Sequence, residues 1–178
     1  VDTFRSKVAK ETIHAGAALI NDISGGKMDA QMFATVANLQ VPYILMHMLG
    51  TPQNMQQNPV YSDVTKEIIS FVAAQIHQLH QLKLNDVLID VGFGFGKTID
   101  HNFELLKNLA LFKILDVPIL TGISRKSMLY KTLDISAQEA LNATTSANTI
   151  ALLNGANILR VHDVKEAVEA IKIVHKIK

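Results

Sequence analysis

Residues 87–98 of the chain read VLIDVGFGFGKT, and this stretch decides the fold class. Its apolar start is short, rich in β-branched residues and ends on Asp90, which predicts a buried strand over residues 87–90. Three glycines then alternate with phenylalanines, which predicts a loop whose backbone closely approaches another group. The loop is not a Walker A motif, which needs a glycine at Val91, and it is not the G-x-G-x-x-G dinucleotide fingerprint. We therefore expect a ligand other than a nucleoside triphosphate or NAD.

The composition indicates one globular domain and excludes several function classes. The chain has 178 residues, a net charge of +1 and no Trp, which argues against a nucleic-acid partner. Cysteine is absent, so disulfides, thiolate catalysis and Cys-ligated zinc are excluded, and a cytoplasmic location is expected. No apolar run reaches the length of a membrane span, so no membrane partner is expected.

Outward from the opening stretch, strands and helices are predicted in strict alternation. Strands are predicted at residues 1–3, 17–23, 42–48, 87–90, 117–122 and 157–161. Helices are predicted at residues 4–15, after Asp29 to 39, at 63–84, 102–115, from 124–127, at 136–153, and from Asp163 to Lys178, with a long loop at 49–62. Six strand–helix units of roughly 30 residues predict an α/β fold with a parallel sheet covered by helices.

Polar residues follow every predicted strand, and their number favours a barrel. A doubly wound sheet uses two or three strand ends at its switch point, whereas a (β/α)₈ TIM barrel brings all C-terminal ends to one face. Eight units would need about 240 residues at this spacing. We therefore expect residues 1–178 to be units 3–8, the C-terminal three-quarters of a single barrel domain. Such a segment alone is expected to be inactive and poorly soluble, because it exposes two sheet edges.

Three strand ends carry acceptors for the NH groups of a ligand. Asp2, Asn21 and Asp90 each stand at or near the C-terminal end of a predicted strand and would lie at the mouth of the barrel. For Asp90 a second interpretation stays open, in which the carboxylate caps the amides of its own glycine loop. Asp22 is interpreted as fixing the following turn and is left out of the site.

Two segments near the C-terminus carry the features of an anion site. Residues 124–127 (SRKS) place two cations and two hydroxyls at a strand-to-helix junction. Arg160 and His162 alternate along the last strand and share one face. A buried arginine needs an anion or an acidic partner, so an ion pair with Asp2 or Asp90 is the alternative. In barrels, phosphate is often held after strands seven and eight.

The remaining candidates have simpler interpretations. His47 stands between two methionines and is interpreted as a core residue, since no metal-ligand spacing accompanies it. Phe93 and Phe95 are either core residues or a clamp for a flat ring. Lys97, which a Walker motif would make essential, is given a secondary role. No G-x-S-x-G elbow supports a serine triad.

Five segments together resemble the bacterial dihydropteroate synthases in order and spacing. They are VDTFRSKVAKETIHAGAALINDISGG (1–26), YILMHMLGTPQNMQ (43–56), DVGFGFGKTIDHN (90–102), LTGISRKSM (120–128) and ILRVHDV (158–164). The resemblance covers the whole chain. It implies a TIM-barrel transferase of folate biosynthesis that condenses 6-hydroxymethyl-7,8-dihydropterin pyrophosphate with p-aminobenzoate to 7,8-dihydropteroate and pyrophosphate. It also implies a sulfonamide target that works as a cytoplasmic homodimer with Mg²⁺.

The resemblance also assigns roles to matching residues. The pterin-binding residues would be Asp2, Asn21, Met46, Asp90 and Lys126, with Asp90 and Lys126 as the catalytic pair. The pyrophosphate would be held by Arg160 and His162, and p-aminobenzoate by Phe95 and Ser127. No residue of this chain is expected to bind the metal, because the family's asparagine for Mg²⁺ belongs to the units that precede residue 1.

Two departures and two alternatives accompany this resemblance. Val91 stands where the family usually has proline, and Leu49 where a polar or basic residue is common. One alternative is a pterin-binding methyltransferase domain that passes a methyl group from methyltetrahydrofolate to a corrinoid. The other is a non-catalytic barrel paralogue. The methyltransferase has no need of the anion-binding residues.

Overall fold

Strands and helices alternate along residues 1–177, which are the residues that the computed structural model describes. The strands are β1 (Ile20–Asp22), β2 (Tyr43–Met46), β3 (Val87–Asp90), β4 (Ile119–Thr121) and β5 (Ile158–Leu159). The helices are α1 (Ser6–His14), α2 (Met32–Leu39), α3 (Val64–Gln81), α4 (Ile99–Lys107), α5 (Ser127–Tyr130), α6 (Leu141–Leu153) and α7 (Val164–Val174), with a 3₁₀ helix at Leu109–Leu115. Lys178, the last residue of the predicted terminal helix, lies outside the described residues. Within the described part, no helix has both the length and the apolar character needed to cross a membrane.

The five strands form one parallel sheet whose order follows the chain, which confirms the predicted α/β class. Asp2 extends the sheet through a parallel bridge to Asn21, beside β1. The register sets Met46 next to Asp90, and Asp90 next to Leu120, so the C-terminal strand ends lie along one edge. The order shows no reversal, whereas a doubly wound sheet reverses its order at the switch point.

A salt bridge joins residues at the two opposite edges of this sheet, next to its first and last strands. Arg160 Nη2, just after β5, lies 2.9 Å from Asp2 Oδ2, which is beyond β1. In a flat sheet, five strand spacings of about 4.8 Å would separate these positions by about 24 Å. Two side chains cannot span that distance. The sheet is therefore strongly curved, with its C-terminal ends turned toward a common centre.

The two faces of the sheet have different surroundings. Tyr43, Leu45 and Ile89 point toward the helices and belong to the main core. The positions between them face the other way, where a smaller apolar cluster consists of Leu19, Ile44, Leu88 and Leu120. Side chains two positions apart on a strand share a face. On the face of this smaller cluster, two residues after each of its members, lie Asn21, Met46, Asp90 and Gly122. The face that the helices leave uncovered is thus apolar in the middle and polar at its C-terminal edge.

The two helix starts that differ most from the sequence prediction are those of α4 and α6. α4 begins at Ile99, earlier than predicted, because the Thr98 hydroxyl accepts from His101 N and His101 Nδ1 accepts from Thr98 N. α6 begins at Leu141, later than predicted, and residues 137–140 form a turn instead. Both differences lie at helix ends, where local capping decides the boundary.

Two aspartates predicted as helix caps behave differently. Asp63 caps α3 as predicted, accepting from Lys66 N at 2.9 Å. Asp29 does not cap α2, since the N-cap residue of that helix is Gln31. The Asp29 carboxylate accepts from Gln31 N at 2.9 Å and from Ser6 N, at the start of α1, at 2.7 Å. That carboxylate therefore connects two helices.

Asp22 fixes the turn after β1, as predicted. Its buried carboxylate accepts from Ser24 N at 2.8 Å, from Ser24 Oγ at 2.7 Å and from Gly26 N at 2.9 Å. The hydroxyl of Tyr43, on the neighbouring strand, donates to the same carboxylate at 2.7 Å. Burial raises the pKa of Tyr43 well above its ordinary value, so this hydroxyl remains a donor.

We expect Tyr43→Phe to lower the free energy of unfolding by about 2 kcal/mol, because it removes a buried hydrogen bond to a charged group. Urea unfolding of the full-length protein should show a lower midpoint and an unchanged slope. Tyr130→Phe is the matched control, since the Tyr130 hydroxyl makes no hydrogen bond to residues 1–177. Equal midpoints for the two variants would contradict the stabilising role of this contact.

Candidate active site

Acceptor side chains from the first strands lie together at the C-terminal edge of the sheet. Asn21 Nδ2 donates to Asp2 Oδ1 at 2.6 Å, and Asp2 also pairs with Arg160. Asn21 Oδ1 is buried and has no hydrogen-bond partner among the described residues. A buried acceptor without a partner destabilises the fold, so this atom is suited to an NH group of a ligand.

Asp90 ends β3 and is only 6% exposed. Its Oδ1 accepts from Gly92 N at 2.8 Å, and its Oδ2 receives no hydrogen bond from the part of the chain that the structure describes. Burial raises the pKa of the Asp90 carboxyl, whereas three nearby cations, Lys126 first among them, lower it. Asp90 therefore caps the glycine loop with one oxygen and keeps the other available to a ligand.

Lys126 lies between the anion-binding segments and the glycine loop. Its ammonium donates to the Phe93 carbonyl and lies 4.8 Å from the centre of the Phe95 ring, within cation–π distance. Burial lowers the pKa of Lys126, while the charge of Asp90 raises it. The predicted aromatic clamp and the predicted cation are thus in contact, whereas Phe93 is fully buried and belongs to the core.

A cleft of about 250 Å³ opens beside Lys126. It is lined by Gly122, Ser124, Lys126, Arg160, Val161 and His162. Ser124 Oγ lies 2.8 Å from His162 Nδ1 and accepts from His162 N at 3.2 Å. The structure therefore brings the two predicted pyrophosphate residues, Arg160 and His162, to one cleft with Lys126. Cationic and N–H donors around a cleft of this size suit a phosphate-type anion.

The prediction that both cations of residues 124–127 belong to the anion site is wrong for Arg125. It adopts a left-handed backbone with φ of 54°. Its guanidinium binds the Asp163 carboxylate through Nε and Nη2, each at 2.9 Å. Asp163 stands at the N-cap position of α7 but makes no capping hydrogen bond, because its carboxylate is held by Arg125. Only one of the two cations, Lys126, lines the cleft.

Two further residues that were predicted to bind substrates, Met46 and Ser127, lie next to Asp90 and Lys126. Met46 is buried at the end of β2, beside Asp90 in the register. Ser127 is the first residue of α5, directly after Lys126, and its hydroxyl makes no hydrogen bond within residues 1–177. Both side chains are therefore next to the residues that form the site.

Sequence reasoning missed the environment of Lys97. Lys97 and His47 are both buried and in contact, with Lys97 Nζ 3.1 Å from His47 Nδ1. The prediction that His47 is a packed residue agrees with its burial. The prediction that Lys97 has only a secondary role did not foresee a buried ammonium inside the glycine loop. The contact joins residues 50 apart in the chain, and no local pattern signals it.

Proteins of known function resemble this chain over nearly its whole length. Dihydropteroate synthase of Escherichia coli (strain K12) is 41% identical over 176 residues, which cover 98% of this chain and 62% of that protein. Dihydropteroate synthase of Haemophilus influenzae is 35% identical over 175 residues, covering 97% of this chain and 63% of that protein. The chain thus spans less than two thirds of the length of these curated relatives.

Solved structures and a family profile agree with these relatives. The chain matches Yersinia pestis dihydropteroate synthase with a sulfonamide drug at a TM-score of 0.94 and 40% identity, covering 99% of this chain and 65% of that one. It matches Thermus thermophilus dihydropteroate synthase in complex with 4-aminobenzoate at 0.94 and 33%, covering 100% of this chain and 70% of that one. The profile of the pterin binding enzymes matches residues 1–162. The chain therefore belongs to the pterin-binding enzyme family.

Proposed function

We propose that this protein is a dihydropteroate synthase, which condenses 6-hydroxymethyl-7,8-dihydropterin pyrophosphate with p-aminobenzoate. The proposal rests on one observation: hydrogen-bond acceptors and cationic side chains lie close together at one edge of the sheet. The acceptors of Asn21 and Asp90 suit an NH-rich heterocycle, and the cleft lined by Lys126, Arg160 and His162 suits a diphosphate. A pterin pyrophosphate carries both chemistries in one molecule.

The pterin is assigned to the acceptor set. Asp2, Asn21 and Asp90 accept its NH groups, Lys126 donates toward its carbonyl and ring nitrogen, and Met46 lines its face. The free Asn21 Oδ1 and Asp90 Oδ2 support this assignment, because each lacks a donor among the described residues. Such a ligand would satisfy atoms that the fold leaves without a partner.

The pyrophosphate is assigned to Arg160 and His162. During the reaction the C–O bond between the pterin methylene and the pyrophosphate breaks, and its electron pair leaves with the pyrophosphate. The Asp90 carboxylate stabilises the positive charge that develops on the pterin, and the cations stabilise the leaving group. The amine of p-aminobenzoate then forms the C–N bond and releases a proton. No protein nucleophile is needed, in agreement with a chain that has no cysteine.

The p-aminobenzoate is assigned to Phe95, Lys126 and Ser127. The Phe95 ring lies against the Lys126 ammonium and offers an aromatic face to a flat substrate. The unpaired Ser127 hydroxyl is a donor for the carboxylate of that substrate. Sulfonamide binding follows as part of this proposal, because a sulfonamide competes for the same surface.

Mg²⁺ belongs to the proposal as a cofactor, but the described residues do not build its site. Within residues 1–177, no three His, Asp or Glu side chains come together as a metal-ligand group. Mg²⁺ is commonly held by substrate phosphates and water with few protein ligands, so it is expected to bind with the diphosphate.

We further infer that the curved sheet belongs to a (β/α)₈ barrel in which this chain supplies units 3–8. The uninterrupted strand order and the ion pair between Arg160 and Asp2 support that closure. A homodimer and a cytoplasmic location stay predictions, as does the inactivity of residues 1–178 alone.

Pyrophosphate release by the full-length protein tests the function. Release from the pterin pyrophosphate should require p-aminobenzoate and Mg²⁺, and omission of either should abolish it. The control reaction offers methyltetrahydrofolate and a corrinoid, the substrates of a methyltransferase of the same family. Such a methyltransferase has no need of the anion cleft. Methyl transfer without pyrophosphate release, or no reaction at all, would overturn the proposed synthase in favour of one of the two alternatives.

A further inference from the structure

Lys97, which has no assigned role in the proposed condensation, is buried inside the glycine loop. It is 3% exposed, and no carboxylate lies within salt-bridge distance of it in the described part of the chain. Its Nζ lies 2.9 Å from the Gly92 carbonyl oxygen, 3.0 Å from that of Phe95 and 3.1 Å from His47 Nδ1. A fourth acceptor, the His47 carbonyl oxygen, is more distant at 3.4 Å. An ammonium has three N–H donors, and the three nearest acceptors match them.

His47 presents an acceptor to this ammonium. Burial, together with the charges of Lys97 and Lys27, lowers the pKa of His47 to about 2, so the ring is neutral. The ring also packs edge-on against Phe71, with centroids 5.1 Å apart, which holds it in place. Because His47 directly follows β2, its contact with Lys97 ties the glycine loop to the end of the neighbouring strand.

The loop backbone packs closely on the same strand end. Gly92 has a left-handed φ of 73°, and a Cβ added to it would lie 1.9 Å from the His47 carbonyl oxygen. A Cβ on Gly96 would lie 2.5 Å from the Leu49 carbonyl oxygen. Glycine at these two positions therefore permits the close approach that brings Lys97 to His47.

Side chains from several elements hold the carbonyl groups of the loop. Gly92 and Phe95 accept from Lys97, and Phe93 accepts from Lys126. The remaining two carbonyls, at 94 and 96, accept from Gln56 Nε2 at 2.6 Å and from Tyr61 Oη at 2.8 Å. Every carbonyl from 92 to 96 thus accepts a side-chain hydrogen bond, and Lys97 alone supplies two of them. These contacts hold the loop backbone, and that backbone in turn sets the position of Phe95.

We propose that Lys97 is a positioning residue for the aromatic amine substrate, fixing the glycine loop so that the Phe95 ring stays against Lys126. The inference rests on the proposed function, because the amine is its second substrate. Without the ammonium, the Phe95 carbonyl and the His47 ring nitrogen lose a donor in a buried site, and the Gly92 carbonyl keeps the hydrogen bond from Phe95 N at 3.0 Å. The loop then relaxes, and the surface for the flat ring is lost before the pterin contacts are.

Lys97→Met in the full-length protein tests this role through the two Michaelis constants. The KM for p-aminobenzoate should rise by about 10-fold or more, whereas the KM for the pterin pyrophosphate should stay within about 2-fold. Lys107→Met is the matched control, because Lys107 is exposed at the end of α4, and it should leave both constants unchanged. A defect that is only structural would change both constants or lower the active fraction without such a split.

The pH dependence of the wild-type protein gives a second readout. Burial lowers the pKa of Lys97 to about 7, with Asp90 raising it and Lys126 lowering it further. Above this pH the amine keeps two N–H donors for its three nearest acceptors. The KM for p-aminobenzoate should therefore rise as the pH passes 7, and Lys97→Met should remove this step while leaving any contribution from Lys126.

Tyr61→Phe keeps the proposal testable if Lys97→Met does not fold. It removes the one donor that the Gly96 carbonyl has among residues 1–177 and should raise the KM for p-aminobenzoate by about 3-fold. Wild-type values of that KM in the folded variants would overturn the inference while leaving the synthase intact. A wild-type protein that releases no pyrophosphate with p-aminobenzoate would instead overturn the proposed function itself.

Discussion

Replacing Asp90 with asparagine is expected to lower kcat/KM for the pterin pyrophosphate by about 10²- to 10³-fold, because it removes a preorganised charge from the reacting centre. Asparagine has nearly the same shape, and its Oδ1 can still accept from Gly92 N, which is 2.8 Å from Asp90 Oδ1. The loop and the fold should therefore persist. The loss then reports both the negative charge and the acceptor at Oδ2, because asparagine places an NH₂ donor at that position.

Steady-state kinetics across a pH range measure this effect. Burial raises the pKa of Asp90, so wild-type activity should fall as the pH decreases through a value above the ordinary carboxyl range. The Asp90→Asn variant has no such acid limb. Its basic limb should move to lower pH, because burial already lowers the pKa of Lys126 and the opposing charge of Asp90 is gone.

Asp86→Asn is the matched control for this substitution. Asp86 is exposed and directly precedes β3, so the same chemical change occurs at the opposite end of the same strand. It should leave kcat/KM within about 2-fold of the wild type, as is usual for surface substitutions. An Asp90→Asn variant as active as Asp86→Asn would remove Asp90 from the catalytic site.

The strand ends could be predicted from sequence because two local signals coincide there. Alternation along a strand assigns each side chain to a face, and a polar residue at the end of an apolar run identifies the edge. Those rules were sufficient for the position of Asp90 and for the bounds of β3, which agree with the prediction. They also identified Asn21, although its unpaired Oδ1 could be recognised only in the folded chain.

Partners that lie far apart in sequence could not be predicted. Arg125 and Lys126 are adjacent cations with different surroundings, because the backbone at Arg125 is left-handed. The Arg125 side chain binds Asp163, whereas Lys126 lines the cleft. Asp29 and Asp163 were predicted as caps from their local position. Asp163 instead binds the Arg125 guanidinium, because a charged donor is a stronger partner than the local amides. Asp29 accepts from the Ser6 amide at the start of another helix as well as from Gln31 N.

The burial of Lys97 escaped prediction for a different reason. A lysine after a glycine loop usually extends into solvent, and the carboxylate nearest to it in the sequence, Asp100, is exposed and forms no ion pair with it within residues 1–177. Three dipoles, two from the loop and one from His47, take the place of that carboxylate. Such a cage exists only after β2 and β3 have paired, so it is a product of tertiary structure.

Lys126→Met is expected to lower kcat/KM for both substrates, by about 10²- to 10³-fold at neutral pH. The substitution keeps the length and apolar stem of the side chain but removes its charge. One cation is then missing from the cleft of Arg160 and His162, and the cation–π contact with Phe95, with centroid distance 4.8 Å, disappears. The pterin, the pyrophosphate and the amine all lose a partner, since Lys126 adjoins each of the three assigned positions.

This loss across both substrates distinguishes Lys126 from Lys97, whose replacement should affect the amine alone. Lys131→Met is the control, because Lys131 is exposed just after α5 and carries the same charge. Burial lowers the pKa of Lys126, so wild-type activity should fall as the pH rises through that lowered value, and the variant should lack this limb. If Lys126→Met kept wild-type rates and pH profile, the cation at the junction of the two substrates would have to be another residue, and the assignment of the cleft to the diphosphate would fail with it.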